Sequence, residues 1–122
     1  VWYYNSMIEL KNKHADICNT PYSIGEGWYD LVDQAFNQIK ELLENGAGSI
    51  TITEIKEKFG ELRIYYILED VHDTDAFAVS QFITEAETLS TRTCEICGEP
   101  GKTRDLPYIV TLCDKHYSET DK

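Results

Sequence analysis

Two short runs, Cys94-Glu95-Ile96-Cys97 and Cys113-Asp114-Lys115-His116, constrain this chain more tightly than any other feature. Each offers a pair of metal-binding side chains spaced so that both can clasp one ion, and enough chain lies between the pairs to fold back. Gly98 follows the first pair, where a residue without a Cβ lets the backbone turn beneath the metal. Three thiolates and an imidazole close a tetrahedron, the geometry zinc favours, and leave no coordination position for water. The spacing therefore predicts one structural Zn2+ per chain on Cys94, Cys97, Cys113 and His116. A catalytic zinc would keep an open site, and the histidine disfavours an iron–sulfur cluster.

Between the pairs, Pro100, Gly101 and Pro107 interrupt a short hairpin whose returning strand is residues 108–112. His116 is expected on a terminal turn of helix. Knuckle, hairpin and helix-borne second pair predict a treble-clef or zinc-ribbon-like module over residues 91–122, packed on the rest of the chain.

Cys18 stands alone upstream, so the cysteines do not read as two disulfides of a secreted protein; metal binding in a reducing compartment explains them better. Cys18 itself is expected to be a small buried hydrophobe. No apolar run approaches the roughly 18–20 residues that cross a bilayer, and no lysine-led hydrophobic leader precedes a cleavage site. The expectation is a cytoplasmic protein. Its 22 acidic residues against 11 basic ones, a formal net charge of −11, oppose nucleic acid and anionic membranes as partners. A decoy of nucleic-acid charge that occupies a basic partner is the sharper alternative to simple solubility.

Trp28, Leu31, Val32, Ala35, Phe36, Ile39, Leu42 and Leu43 recur at three- and four-residue steps and trace one face of a helix over 28–44. Asn45-Gly46 is expected to end it in a left-handed cap, and Tyr29, Asp30, Asp33, Gln34, Lys40 and Glu41 are assigned to solvent. Two β-branched stretches, 49–55 and 62–68, read as an antiparallel hairpin turning at Gly60, with Ile50, Ile52, Leu62, Ile64, Tyr66 and Leu68 inward. After an acidic loop that holds His72, a second helix with Asp73 or Thr74 as its cap buries Ala76, Val79, Ile83, Ala86 and Leu89. The fold class is thus α+β, two amphipathic helices packed on a short antiparallel sheet over residues 25–90. Residues 1–24 form a weakly patterned N-terminal segment. Met7 is the sole methionine, so Val1–Ser6 is expected to be a non-native leader or part of a longer reading frame.

Taken in order, Gly-Glu-Gly-Trp-Tyr (25–29), Ile-Lys-Glu-Lys-Phe-Gly-Glu-Leu-Arg-Ile-Tyr (55–65), Glu-Ala-Glu-Thr-Leu-Ser (85–90), Cys-Glu-Ile-Cys-Gly-Glu-Pro-Gly (94–101) and Thr-Leu-Cys-Asp-Lys-His (111–116) make a more specific signature. The pattern resembles a family of small zinc proteins of bacteria and their phages, across 25–116. The resemblance implies the zinc ligands, one compact unit and a setting in bacteria–phage conflict; it implies no activity. Tyr108 departs from the family pattern, which often has tryptophan there.

No catalytic constellation is complete. A His-metal nuclease needs a second histidine beside the zinc, and His116 is the only histidine after Cys94. A zinc deaminase needs a glutamate two residues after a ligand histidine, which neither His14 nor His72 has. No phosphate-cradling glycine loop is present. The outstanding polar feature is Lys56, Lys58 and Arg63 around the hairpin turn, with Phe59 and Tyr65 close by and Trp28 as a further aromatic wall. These are the candidate ligand-binding residues. The expected function is a non-catalytic, zinc-stabilised binding protein that engages a protein partner or a small anionic ligand, with a nucleotide-type ligand as the alternative and a nucleic-acid-processing enzyme as the remote one.

Overall fold

A computed structural model describes residues 4–120. The expectation for the leader therefore falls in part, at residues 1–3, outside the described residues. The elements run α1 (Tyr4–Lys13), β1 (Tyr22–Ser23), a 3-10 turn (Glu26–Trp28), α2 (Tyr29–Glu44), β2 (Ser49–Lys58), β3 (Glu61–Glu69), α3 (Asp73–Ser90), β4 (Lys102–Asp105), β5 (Ile109–Leu112) and α4 (Asp114–Thr120). The chain is α+β, with a three-stranded sheet ordered β1-β2-β3 and a two-stranded sheet of β4 and β5.

The apolar stripe of α2 is buried as its periodicity predicts: Val32, Ala35, Phe36 and Ile39 join Ile50, Ile52, Ile55, Leu62 and Ile64 in one core, with Val79, Ile83 and Ala86 of α3. Tyr66 and Leu68 pack partly against it. The opposite face of the β2–β3 hairpin carries exposed Thr51, Thr53, Tyr65 and Ile67. The strands are longer than the sequence suggested, because the turn is only Phe59-Gly60. Both turn residues have positive φ, 53° and 79°, as two-residue hairpin loops that match strand twist require. Glu57 Oε2 fastens the turn by accepting from Gly60 N at 2.7 Å. The register slips between Ile52 and Glu54, a bulge at Thr53. Without it the alternation of Ile50 and Ile52 would send Glu54 inward; with it Ile55 returns to the core.

Several expectations are corrected. The sheet is not purely antiparallel: Tyr22 and Ser23 pair in parallel with Ile55 and Lys56, a strand too short for alternation to reveal. Leu10, Cys18 and Tyr22 lie in the same core as α2, with Ile17 and Ile24 packed against it, so residues 10–24 are not a segment apart from it. The left-handed residue after α2 is Gly48 (φ 94°), not Asn45 or Gly46, since the chain turns late to meet β2. The N-cap of α3 is His72 without a side-chain bond, rather than Asp73 or Thr74.

Tyr29, assigned to solvent, is 2% exposed. Its side chain joins the same core cluster as Trp28 and Val32, while Asp30 beside it stays exposed. Asp33 and Lys40 are also drawn away from free solvent. His14, wholly buried just after α1, meets Asp33 Oδ1 through Nε2 at 2.7 Å and Lys40 Nζ through Nδ1 at 3.4 Å. Lys40 further donates to the Lys13 carbonyl and to Asp16. A neutral ring with Nε2–H donated to Asp33 and Nδ1 accepting from Lys40 satisfies both nitrogens, and pins α1 to α2. Burial pushes the His14 pKa down, aided by Lys40 and opposed by the Asp33 hydrogen bond.

Candidate metal centre

The four residues singled out in the sequence converge. Sγ of Cys94, Cys97 and Cys113 and a ring nitrogen of His116 all lie within 4.8 Å of one another and can hold one metal ion. Cys97 Sγ is 3.8 Å from Cys113 Sγ, and His116 Nδ1 is 3.5 Å from Cys94 Sγ and 3.2 Å from Cys113 Sγ. Cys94 and Cys113 are buried, and Cys97 is exposed. The second pair sits where β5 runs into α4, so that Cys113 is fixed by the strand and His116 by the first helical turn; His116 N donates to Cys113 Sγ at 3.5 Å.

Electrostatics differ between the two ends of the first pair. Burial works against ionisation of Cys94, but backbone amides of Cys113, Cys97 and Ile96 outweigh it and lower its thiol pKa. Desolvation and the neighbouring sulfurs of Cys94 and Cys113 push Cys97 up to about 11. Metal entry must therefore displace protons, which makes affinity pH-dependent.

Residues that the sequence reading passed over hold this centre against the core. Gly25 and Gly27, named in the sequence only as part of the 25–29 signature, form the ledge on which the knuckle rests. Gly27 N donates to Glu95 O at 2.8 Å and Gly25 N to Glu95 Oε2 at 3.0 Å. A Cβ on Gly27 would lie 2.6 Å from Gly98 N and collide with the Cys94 carbonyl. Burial raises the Glu95 pKa, offset in part by the Gly25 amide, with nearby Glu57 adding to the rise. On the other flank, Thr111 Oγ1 donates to Gly60 O at the tip of the β2–β3 hairpin. Arg104 closes the base: Nε meets Leu112 O at 3.2 Å, Nη2 meets Asp114 Oδ1 at 2.7 Å, and the guanidinium lies 4.3 Å above the Tyr117 ring. The spaced glycines before a tryptophan were the one available signal of the ledge; Thr111 and Arg104 had none.

The second candidate site is brought together only in part. Lys56 and Arg63 are direct cross-strand partners and so share the uncovered face, with Tyr65 at 5.6 Å from Lys56 Nζ. Lys58 lies beside Phe59, which is 69% exposed. Acidic neighbours attend both cations: Lys56 meets Glu54 at 3.7 Å and Arg63 meets Glu61 at 3.1 Å. Trp28 is not part of that surface. It is wholly buried, and its indole N–H donates to Thr93 O at 2.8 Å; an indole this large at the junction of core and knuckle is worth more as packing than as a wall. His72 is exposed in the loop before α3. Among the described residues no helix is long and apolar enough to cross a membrane. No protein-family model, no curated protein and no solved structure matches the chain.

Proposed function

We propose that this is a non-catalytic binding protein in which a structural zinc ion fixes the tip of a β-hairpin, and the open face of that hairpin takes an acidic protein segment or a small anionic ligand. The spacing of the donor atoms supports zinc. A tetrahedral ion with Zn–S near 2.3 Å and Zn–N near 2.05 Å sets S–S edges of about 3.8 Å and S–N edges of about 3.6 Å. The sulfur pair at 3.8 Å and the Cys94–His116 separation of 3.5 Å fit those edges, while Cys113 and His116, at 3.2 Å, stand closer than the ideal edge. Four protein ligands fill the sphere, which supports a structural ion over a hydrolytic one. Knuckle, β4–β5 hairpin and α4 bearing His116 follow each other as in a treble-clef module.

One observation carries the binding reading: Lys56 and Arg63 stand directly opposite each other on the uncovered sheet face. Like charges in that position repel, and an incoming carboxylate or phosphate relieves the repulsion while Arg63 offers it a planar fork. The Arg63–Glu61 bridge competes, yet both side chains are substantially exposed, 40% and 31%. Such a pair is worth only about 0–1 kcal/mol and yields to a better partner. A nucleotide-type ligand would use the same cations with Tyr65 as its stacking surface. The setting in bacteria–phage conflict and the cytoplasmic location follow from the sequence resemblance and the cysteine pattern alone.

Native mass spectrometry of the purified chain reads both halves: one zinc per chain, and any retained anion as added mass. Titration with an acidic peptide or a nucleoside monophosphate then tests the face. Arg63→Ala and Lys56→Ala/Lys58→Ala should each weaken binding about tenfold or more, the loss of a charge-assisted contact, with zinc content and Tm unchanged. Binding that survives both makes the hairpin face scaffold.

A further inference from the structure

We propose that two copies of this chain pair through the free edge of β3, antiparallel about a twofold axis at Tyr66. The sheet order leaves β3 at an edge, and the two halves of that edge are treated differently. Near the turn, Leu62 N donates to Ser90 Oγ at 2.9 Å and Ile64 N to Glu87 Oε2 at 3.1 Å, so α3 side chains close the edge. Those two amides point away from β2. By the alternation of a strand, the amides of Tyr66 and Leu68 do too, and among the described residues no side chain caps them. An uncapped run of this kind is a template for another strand.

The register follows from hydrogen bonding and charge. Outward-facing residues must oppose outward-facing residues, which restricts the centre to a residue of the strand. Centred on Tyr66, Tyr66 exchanges both backbone bonds with its copy, and each Leu68 N–H donates to Ile64 O of the other chain while Ile64 N stays with Glu87. On the uncovered face Tyr65 then opposes Ile67 of the second copy, and Arg63 opposes Glu69. Tyr65 and Ile67 are 41% and 56% exposed in the single chain, so the pairing covers apolar surface and matches opposite charges. Centring on Tyr65 instead sets Glu61 against Glu69. Centring on Ile67 sets Tyr65 against Glu69 and leaves Arg63 beyond the strand. Of these three registers only the one centred on Tyr66 sets apolar against apolar and opposite charges together. The pairing stands apart from the anion-binding reading of the sheet face, with which it shares Arg63.

Sedimentation velocity over a concentration series, in about 0.15 M salt where charges are screened beyond roughly 8 Å, tests it with exposed-site variants. Wild type should dimerise, and Arg63→Glu or Glu69→Arg should each weaken the dimer by at least tenfold. An equimolar mixture of the two variants should restore it, because the substituted side chains meet in one pair and native Arg63 and Glu69 meet in the other. Glu69→Arg makes a chain of net charge −11 less negative, so long-range repulsion alone predicts the reverse. A wild-type chain that stays monomeric, variants that associate like wild type, or a mixture that does not recover overturns the proposal. Lys56→Ala/Lys58→Ala should leave the dimer intact while weakening anion binding, so the two readings fail separately.

Discussion

The two ends of the molecule are held by different physics. Among the described residues, the core beneath α2 and α3 gathers seventeen buried hydrophobic residues in one cluster, Trp28 and Phe36 among them, while the C-terminal module buries only three apolar side chains, Cys94, Leu112 and Cys113, with Val110 alongside and the polar Thr111 beside them. Burial at roughly 25 cal/mol per Å2 of apolar surface sustains the first. The second has too few apolar side chains for that term to order three short elements, and two of those three, Cys94 and Cys113, belong to the candidate metal cluster. A module of this size needs a further hold: the Cys94, Cys97, Cys113 and His116 cluster can take one from a metal ion, and the core supplies a ledge.

Removing the ion should give the largest effect and divide the two regions. Chelation, or Cys97→Ser, should strip hydrogen-exchange protection from β4, β5 and α4 by several kcal/mol, on the scale of metal-coupled folding in small zinc domains. The protection of β2 and α2 should persist. Equal loss in both regions would show one cooperative unit in place of two.

In the core, Phe36→Ala should cost about 3–5 kcal/mol in denaturant unfolding through the cavity it leaves. Metal affinity should change little. A loss below about 1 kcal/mol would mean that the core collapses around the gap and is less tightly packed than its burial implies.

Gly27→Ala probes the contact between the regions. Its Cβ collides with the knuckle backbone, which cannot swing aside as a side chain can, and overpacking of this kind costs about 1–3 kcal/mol. Protection of the module should fall while the metal stays bound. An unchanged exchange pattern would detach the module from its ledge.

The smallest effect concerns the polar pin of α1. Folding lowers the His14 pKa from its usual 6.5, so the folded state binds fewer protons than the unfolded one in this range. Its contribution is therefore complete above about 6.5 and declines as pH falls through 6.5 towards the folded value. Asp33, held low by His14 and Lys13 against the opposing effect of burial, is lost only at lower pH. Stability should thus slope downward below pH 6.5 by less than about 1.4 kcal/mol per pH unit, and His14→Gln should flatten that slope. A wild-type profile flat from pH 7.5 to 5.5 would remove the pin from the account.

Local pattern was enough for the Cys3His cluster, for α2 and for the inward alternation of β3, because ligand spacing, a 3.6-residue stripe and a two-residue period are each written within a few turns of chain. Cys94, Cys97, Cys113 and His116 needed nothing more. Folding made the other assignments. Tyr29 went inside, Gly25 and Gly27 became a ledge, the bulge at Thr53 turned Ile55 inward, and His14 found Asp33 and Lys40 on another helix. Each depends on backbones or side chains that meet across long separations in sequence, seventy positions for Gly25 and Glu95. Periodicity reports which side of its own element a residue lies on. It carries no information about what the rest of the chain brings to that side.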